Sequence, residues 1–326
     1  MTSKKIRRLV IGAILAILFV WLIARQIRLD DLKQAFIGTT ISWVIAGLFA
    51  FIFGYACRIE RWRLMLSRDN PNLDWRHCAG PFLSSFAANN VLPFRAGDVL
   101  RAFAFNRRLE VSSGIVLATL FVERLLDLLM VLAFLGAALV FYDLDISGFA
   151  GVGSATLIII AIGILLLLLY PALYAPFANT IGRVAVHMSP VFGHKLHDQI
   201  NKGMATLAHL SKGHMMIKLV MWSFAAWFAE GFVFWFAAMA LTSIATPSAG
   251  WLAMPVATLA TLIPSTPGYV GTFDYFTVRA MSALSNNVAA STAYALLVHV
   301  LLWLPPTLVG GVYLMLHPTH KKDEQR

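Results

Sequence analysis

The sequence predicts an all-α polytopic membrane protein with about six full transmembrane helices and two re-entrant helical hairpins in an inverted repeat. Three observations predict it. Hydrophobic residues make up 59% of the 326-residue chain and charged residues 13%, against roughly 45–50% and 25% in an average soluble domain. The apolar residues arrive in blocks about as long as a bilayer core is thick. Two further blocks, at corresponding places in the two halves, are interrupted by proline and glycine.

Charge and cysteine narrow the class further. The net charge is +10, yet Lys and Arg sit in short groups beside apolar blocks, as orientation signals do. No long basic run or aromatic-interleaved basic patch is present, so nucleic acid is not an expected partner. Cys57 and Cys78 make neither a disulfide framework nor a metal-ligand pattern and are read as free thiols. The N-terminal stretch, with a basic start and an apolar run, lacks a convincing small-x-small cleavage site and is read as a retained first helix.

The uninterrupted blocks place full spans at 9–24, 41–57, 113–141, 152–170, 215–241 and 288–316. The interrupted segments lie at 80–105 and 251–284, each half too short to cross alone. Basic groups precede span one, follow span two, precede span three, separate spans four and five, and follow span six. The loops after spans three and five carry none. That asymmetry predicts both termini on the cytoplasmic side, although Arg25, Arg28 and Lys33 after span one run against it. The first broken segment then enters and leaves from the cytoplasmic side and the second from the outer side, and irregular backbone at membrane depth requires a protein or aqueous lining.

The two interruptions align. "VLPFRAGDV" and "LIPSTPGYV" match as Pro-x-x-x-Gly, Pro93 with Pro264 and Gly97 with Gly268, both pairs 171 residues apart. The same offset carries span two onto 212–228, against span five, and span three onto 284–312, over span six. The expected organisation is one membrane domain over 1–326. Within it lie a first repeat at 41–141, a linking span at 152–170, a cytoplasmic amphipathic linker at 180–212 and a second, inverted repeat at 213–316. Broken hydrophobic segments at matching positions of inverted halves point to a transporter's binding site.

The polar residues inside the apolar blocks are the candidate site. Glu123, Arg124 and Asp127 lie within span three, with Glu123 and Asp127 on one helical face and Arg124 within reach of Asp127. Glu230 stands mid-span with no sequence neighbour to neutralise it. It must be protonated, wet, or paired across helices, for instance with Arg95 or Arg124. Arg95, Asp98 and Arg101 flank the first break, and arginine suits bidentate capture of phosphate. Pro264, Pro267, Gly268 and Gly271 break the second segment, and Asp274 follows as a cavity acid or an early-turn helix carboxylate. Asn89 and Asn90 either satisfy hairpin backbone or face a ligand. Basic residues such as Arg63, Arg107 and Arg108 are read as topology signals. The histidines of the 180–212 linker show no converging ligand set, so no metal is expected, and helical spacing there suggests an amphipathic surface helix. No phosphate-binding loop for a nucleotide is present, and no cofactor is expected.

The stretches "NNVLPFRAGDVLRAF", "VERLLDLL" and "PSTPGYVGTFDYF", in this order and at these distances, resemble the lysylphosphatidylglycerol synthase transmembrane-region family, from about Ile6 to Leu316. The family pattern of Pro-x-Arg-x-Gly-Asp/Glu followed by Arg corresponds to Pro93, Arg95, Gly97, Asp98 and Arg101. Its Glu-Arg and Asp correspond to Glu123, Arg124 and Asp127. Its glycine-rich turn corresponds to Pro267, Gly268, Gly271 and Asp274, with Tyr269 where a second glycine is common. The resemblance implies a flippase-like unit in a bacterial cytoplasmic (inner) membrane. The resemblance leaves the lipid unassigned. The arginines beside the first break point to membrane lipid with an anionic or phosphate-bearing headgroup, and Asn90 is taken as a candidate translocation residue next to them. The synthase domain of full-length members is not part of the matched region, so aminoacylation is not carried over.

The leading expectation is therefore lipid translocation without enzymatic activity. Two other readings stay open: an intramembrane lipid-modifying enzyme, and a non-transporting partner of a lipid-synthesis enzyme. Homo-oligomerisation is compatible with each of them.

Overall fold

The described residues fold almost entirely as helices, with no strand among them. The computed structural model describes residues 29–92, 95–144, 154–263 and 267–317. The predicted first span, Pro93 and Pro264 lie outside the described residues. A short helix, α1 (Leu29–Phe36), leads into α2 (Ile41–Leu66), then a broken pair, α3 (Trp75–Val91) and α4 (Ala96–Phe103). A single turn, α5 (Asn106–Leu109), precedes the long α6 (Ser113–Phe141) and the apolar α7 (Ser154–Leu169). Two helices, α8 (Ala175–Met188) and α9 (Pro190–Leu210), lead to α10 (Gly213–Ala240). The second broken pair, α11 (Gly250–Ala260) and α12 (Thr272–Ala283), is followed by α13 (Val288–Leu316).

Four helices, α2, α6, α10 and α13, are long and apolar enough to cross a bilayer. The predicted crossing at 152–170 is α7, whose 16 described residues are apolar throughout but shorter than the roughly 20 a crossing needs. Large side chains such as Phe49, Ile52, Met221, Val300 and Leu308 stand exposed on the outer faces of the long helices. An aqueous protein would not present such bands; in hydrocarbon they need no cover.

Small residues decide how closely the long helices approach. Gly54 on α2 brings its backbone against the carbonyl of Ala226 on α10. Gly310 on α13 lies against the Leu83 carbonyl of α3, where an added Cβ would sit 2.1 Å from that oxygen. Gly231 on α10 accepts the ring of Trp251 from α11. With no hydrophobic drive between helices in lipid, close backbone contact of this kind supplies the packing energy. The broken pairs exchange partners: α3 packs along α13, and α11 packs along α6, while α4 and α12 lie against their own following helix, α6 and α13.

Two sequence expectations change here. Span two, placed at 41–57, continues as helix to Leu66, because Arg58 and Arg61 are buried between helices and are not at the membrane face. The 180–212 linker is not one surface helix. It is a packed pair, α8 on α9, and α9 docks on the start of α6, where the Gln199 side chain accepts the Gly114 N–H at 2.8 Å. Helix α3 begins at Asp74, whose carboxylate accepts the His77 N–H at 2.7 Å. That bond holds the Asp74 carboxyl below its usual range. Both cysteines are free and buried.

The α3–α13 contact can be tested with two adjacent glycines. Gly310→Ala should destabilise the protein by about 1–3 kcal/mol, the cost of overpacking a tight contact. Gly311, which has nothing within 4 Å of its Cβ position, should tolerate alanine without loss. Thermal unfolding in detergent micelles reads both; equal midpoints for the two variants would contradict the close contact.

Candidate functional site

The two breaks meet. The first break returns to helix at Arg95, which takes the left-handed conformation (φ 52°) at the N-terminus of α4. The second passes through a 3-10 turn, Pro267–Tyr269, in which Gly268 (φ 71°) and Tyr269 (φ 60°) are also left-handed. Arg95 Nε donates to the Tyr269 hydroxyl at 3.1 Å, joining the two bends directly. Tyr269 thus takes a backbone conformation that glycine favours and supplies the hydroxyl that Arg95 binds.

The backbone at each bend is satisfied by a side chain. Asn89 Oδ1 accepts the Gly97 N–H at 2.8 Å, and its amide donates to Asp98 at 3.0 Å. Gly97 itself is required by closeness, since a Cβ there would sit 1.8 Å from the Ser85 carbonyl oxygen. On the other side Asp274 Oδ2 accepts the Gly271 N–H at 2.9 Å, where Gly271 has φ 86°. Asn90 donates to the Trp303 carbonyl at 3.2 Å and to Thr307 Oγ1 at 2.8 Å, tying the first break to α13.

Between the bends and the long helices lies a cavity of about 450 Å³. Arg58 and Tyr55 of α2, Arg124 and Asp127 of α6, and Trp227 and Glu230 of α10 line it. Asn89, Asn90, Arg95, Gly268, Tyr269, His299 and Trp303 complete the polar and bend-facing wall.

Guanidiniums and carboxylates are matched across helices around this cavity. Arg58 pairs with Glu230 at 2.7 Å, and Arg61 with Asp127 at 2.8 Å. Arg61 also donates to Ser223 Oγ at 2.8 Å, and Trp227 Nε1 donates to Asp127 at 3.1 Å. Arg101 meets Glu123 at 2.9 Å with both side chains almost fully buried, its guanidinium stacked over Trp62 and Phe82. Arg124 spans both oxygens of Asp98 at 3.2 Å and lies 3.7 Å from Asp127. Among the described residues no carboxylate lies within salt-bridge distance of Arg95.

The predicted site residues therefore divide. Asn90, Arg95, Arg124, Asp127, Glu230 and Gly268 line the cavity. Asp98 stands behind Arg124, and Gly97, Gly271 and Asp274 shape the bends. Arg101 and Glu123 form a pair that does not line the cavity, although Arg124 lies 3.6 Å from Glu123 as well as 3.7 Å from Asp127. Glu230 is neutralised by Arg58, not by Arg95 or Arg124. Pro267 opens the second turn.

Sequence reasoning passed over Arg58, Arg61 and His299. The first two were grouped with the basic residues after span two. Yet they extend the stripe of Gly47, Phe51, Gly54 and Tyr55 at helical spacing, and that register was the signal available. His299 sits in an apolar helix twenty-five residues from its partner Asp274, with no local pattern to mark it.

A bundle of long apolar helices around an interior, ion-paired cavity defines a membrane-embedded, multi-pass protein. A family profile described as lysylphosphatidylglycerol synthase TM region matches residues 9–310, and the chain belongs to that family. Comparison with curated proteins gives no match.

The Arg101–Glu123 pair gives a clean test of the buried charges. Arg101→Met or Glu123→Leu alone should cost about 3–5 kcal/mol by stranding the other charge, while the double variant should recover most of that loss. Unfolding in mixed micelles measures all three, and additive losses in the double variant would show that the two do not act as a pair.

Proposed function

We infer that the protein translocates a polar-headed membrane lipid, taking an anionic or phosphate-bearing headgroup into the cavity while the tails stay in the bilayer. The observation that carries this reading is Arg95. It is a guanidinium on the cavity wall, held by a neutral phenol, while Arg58, Arg61, Arg101 and Arg124 each have a carboxylate. Its remaining donors suit a phosphate fork. Arg124 and Asn90 flank it on the same wall.

The exchanged packing supports an inverted repeat of span, re-entrant hairpin and span. The first arm of each hairpin lies on the last helix of the other half, α3 on α13 and α11 on α6, as a two-fold relation would require. In such an arrangement one repeat rocks against the other about a fixed site. The family's name, which refers to a phospholipid synthase, supports lipid as the cargo. On this reading the protein sits in a bacterial cytoplasmic membrane with both termini inside.

Proteoliposomes carrying fluorescent phosphatidylglycerol, phosphatidylethanolamine or a polyprenyl phosphate test it. The wild type should move at least one lipid between leaflets. Arg95→Glu should slow that movement on the order of tenfold or more, the value of a lost charge-assisted contact. Arg107→Gln, on the exposed turn α5, should match the wild type. Wild-type rates in Arg95→Glu would remove Arg95 from the site. A covalently altered lipid would replace translocation with enzymatic modification, and no movement of any lipid would leave the partner role.

A further inference from the structure

One ionisable pair at the cavity, His299 and Asp274, is not used by lipid binding at Arg95. His299 lines the cavity from α13, with Nδ1 2.7 Å from Oδ1 of Asp274 and only 16% and 8% of the two side chains exposed. The ring also packs edge-on against Phe273. An ionised Asp274 only accepts, so Nδ1 carries the hydrogen and Nε2 keeps a free lone pair. Nε2 has no hydrogen-bond partner among the described residues, so the next proton to bind this ring arrives from the cavity.

Charge balance says when that proton is wanted. Four guanidiniums around the cavity are matched by Glu230, Asp127, Glu123 and Asp98. What remains is Arg95, positive, and Asp274, negative, with His299 beside it. With a neutral imidazole these two cancel. An anionic headgroup at Arg95 adds a negative charge in a poorly solvated space, and such a charge is costly unless balanced. A proton on Nε2 restores balance as an imidazolium against Asp274.

The groups facing His299 allow this role. The cavity presents Arg58 and Tyr55 from α2, Arg124 and Asp127 from α6, and Glu230 from α10. Arg95 and Tyr269 come from the bends, and α3 offers only neutral Asn89 and Asn90. Both carboxylates in this set, Asp127 and Glu230, are already held by arginine. A connected path also exists, two hydrogen bonds joined by a short piece of chain: Asp274 accepts the Gly271 N–H, Gly271 is two residues from Tyr269, and the Tyr269 hydroxyl accepts from Arg95.

We propose that His299 and Asp274 form a proton-binding site whose filling is coupled to the anionic headgroup, one proton entering with each anion. Water supplies the proton to Nε2, Nδ1–H stays on Asp274, and no bond to carbon changes. This rests on the translocator reading above.

Full-length protein in micelles, titrated calorimetrically with short-chain phosphatidylglycerol, separates the two ideas. Its phosphodiester does not titrate near the ordinary imidazole value of about 6.5, so any pH dependence belongs to the protein. Measurements run below and above that value in two buffers of different ionisation heat. Wild-type affinity should fall as pH rises through the site, towards about tenfold per pH unit for one linked proton, with a buffer-dependent heat. His299→Gln, which keeps a donor for Asp274, should bind with a flat profile and no buffer-dependent heat. Saturable wild-type binding that ignores pH, or the same pH dependence in His299→Gln, overturns the proton site and leaves the translocator reading standing. Lack of saturable binding at every pH overturns that reading, and the proton site with it.

Discussion

A fully buried arginine inside an apolar helical bundle is costly unless a carboxylate from a neighbouring helix meets it, and this constraint governs how the long helices are set. An unpaired ion at membrane depth costs several kcal/mol. Arg58 and Arg61 of α2 therefore fix that helix rotationally against Glu230 of α10 and Asp127 of α6. Arg101 and Arg124 tie α4 and α6 together in both directions, through Glu123 and Asp98. Turning α2 by one residue, about 100°, would carry both of its guanidiniums away from their partners. The glycines at Gly54 and Gly310 let helices approach, but many registers would allow that; the ion pairs select one.

The two bends solve one problem by different means. Each leaves backbone N–H groups without a helical partner at a depth where water is scarce. At the first bend an amide from the preceding helix, Asn89, reaches across to the Gly97 N–H. At the second, a carboxylate from within the following helix, Asp274, reaches back to Gly271. The glycines that align in sequence also differ in purpose. Gly97 is helical and needed because α4 runs close to Ser85, whereas Gly268 is needed for its left-handed backbone. A shared Pro-x-x-x-Gly marks a shared location and not a shared conformation.

These constraints meet at Arg95. Its backbone ends the first break, its side chain reaches the second, and among the described residues no carboxylate is paired with its guanidinium. Paired charges thus surround a guanidinium that is positioned by a neutral contact. On the translocator reading, that combination attracts an anion without having to dismantle an ion pair first, which keeps entry and release both accessible.

The sequence by itself determined the class, the four long crossing helices and the position of both breaks, because hydrophobic block length and proline–glycine interruptions are local properties that hydrocarbon enforces directly. It also singled out Arg95, Asp127 and Glu230, since an ionisable residue in an apolar run is conspicuous wherever its partner lies. The predicted first crossing, Pro93 and Pro264 fall outside the described residues. Only the tertiary structure decided the pairing: that Glu230 belongs to Arg58, that Arg101 joins Glu123, that His299 joins Asp274, and that 180–212 folds as two packed helices. Ion pairs between helices join residues far apart in the chain, such as Arg61 and Asp127, and their partners are chosen by helix rotation and approach. Neither is written in the spacing of one segment.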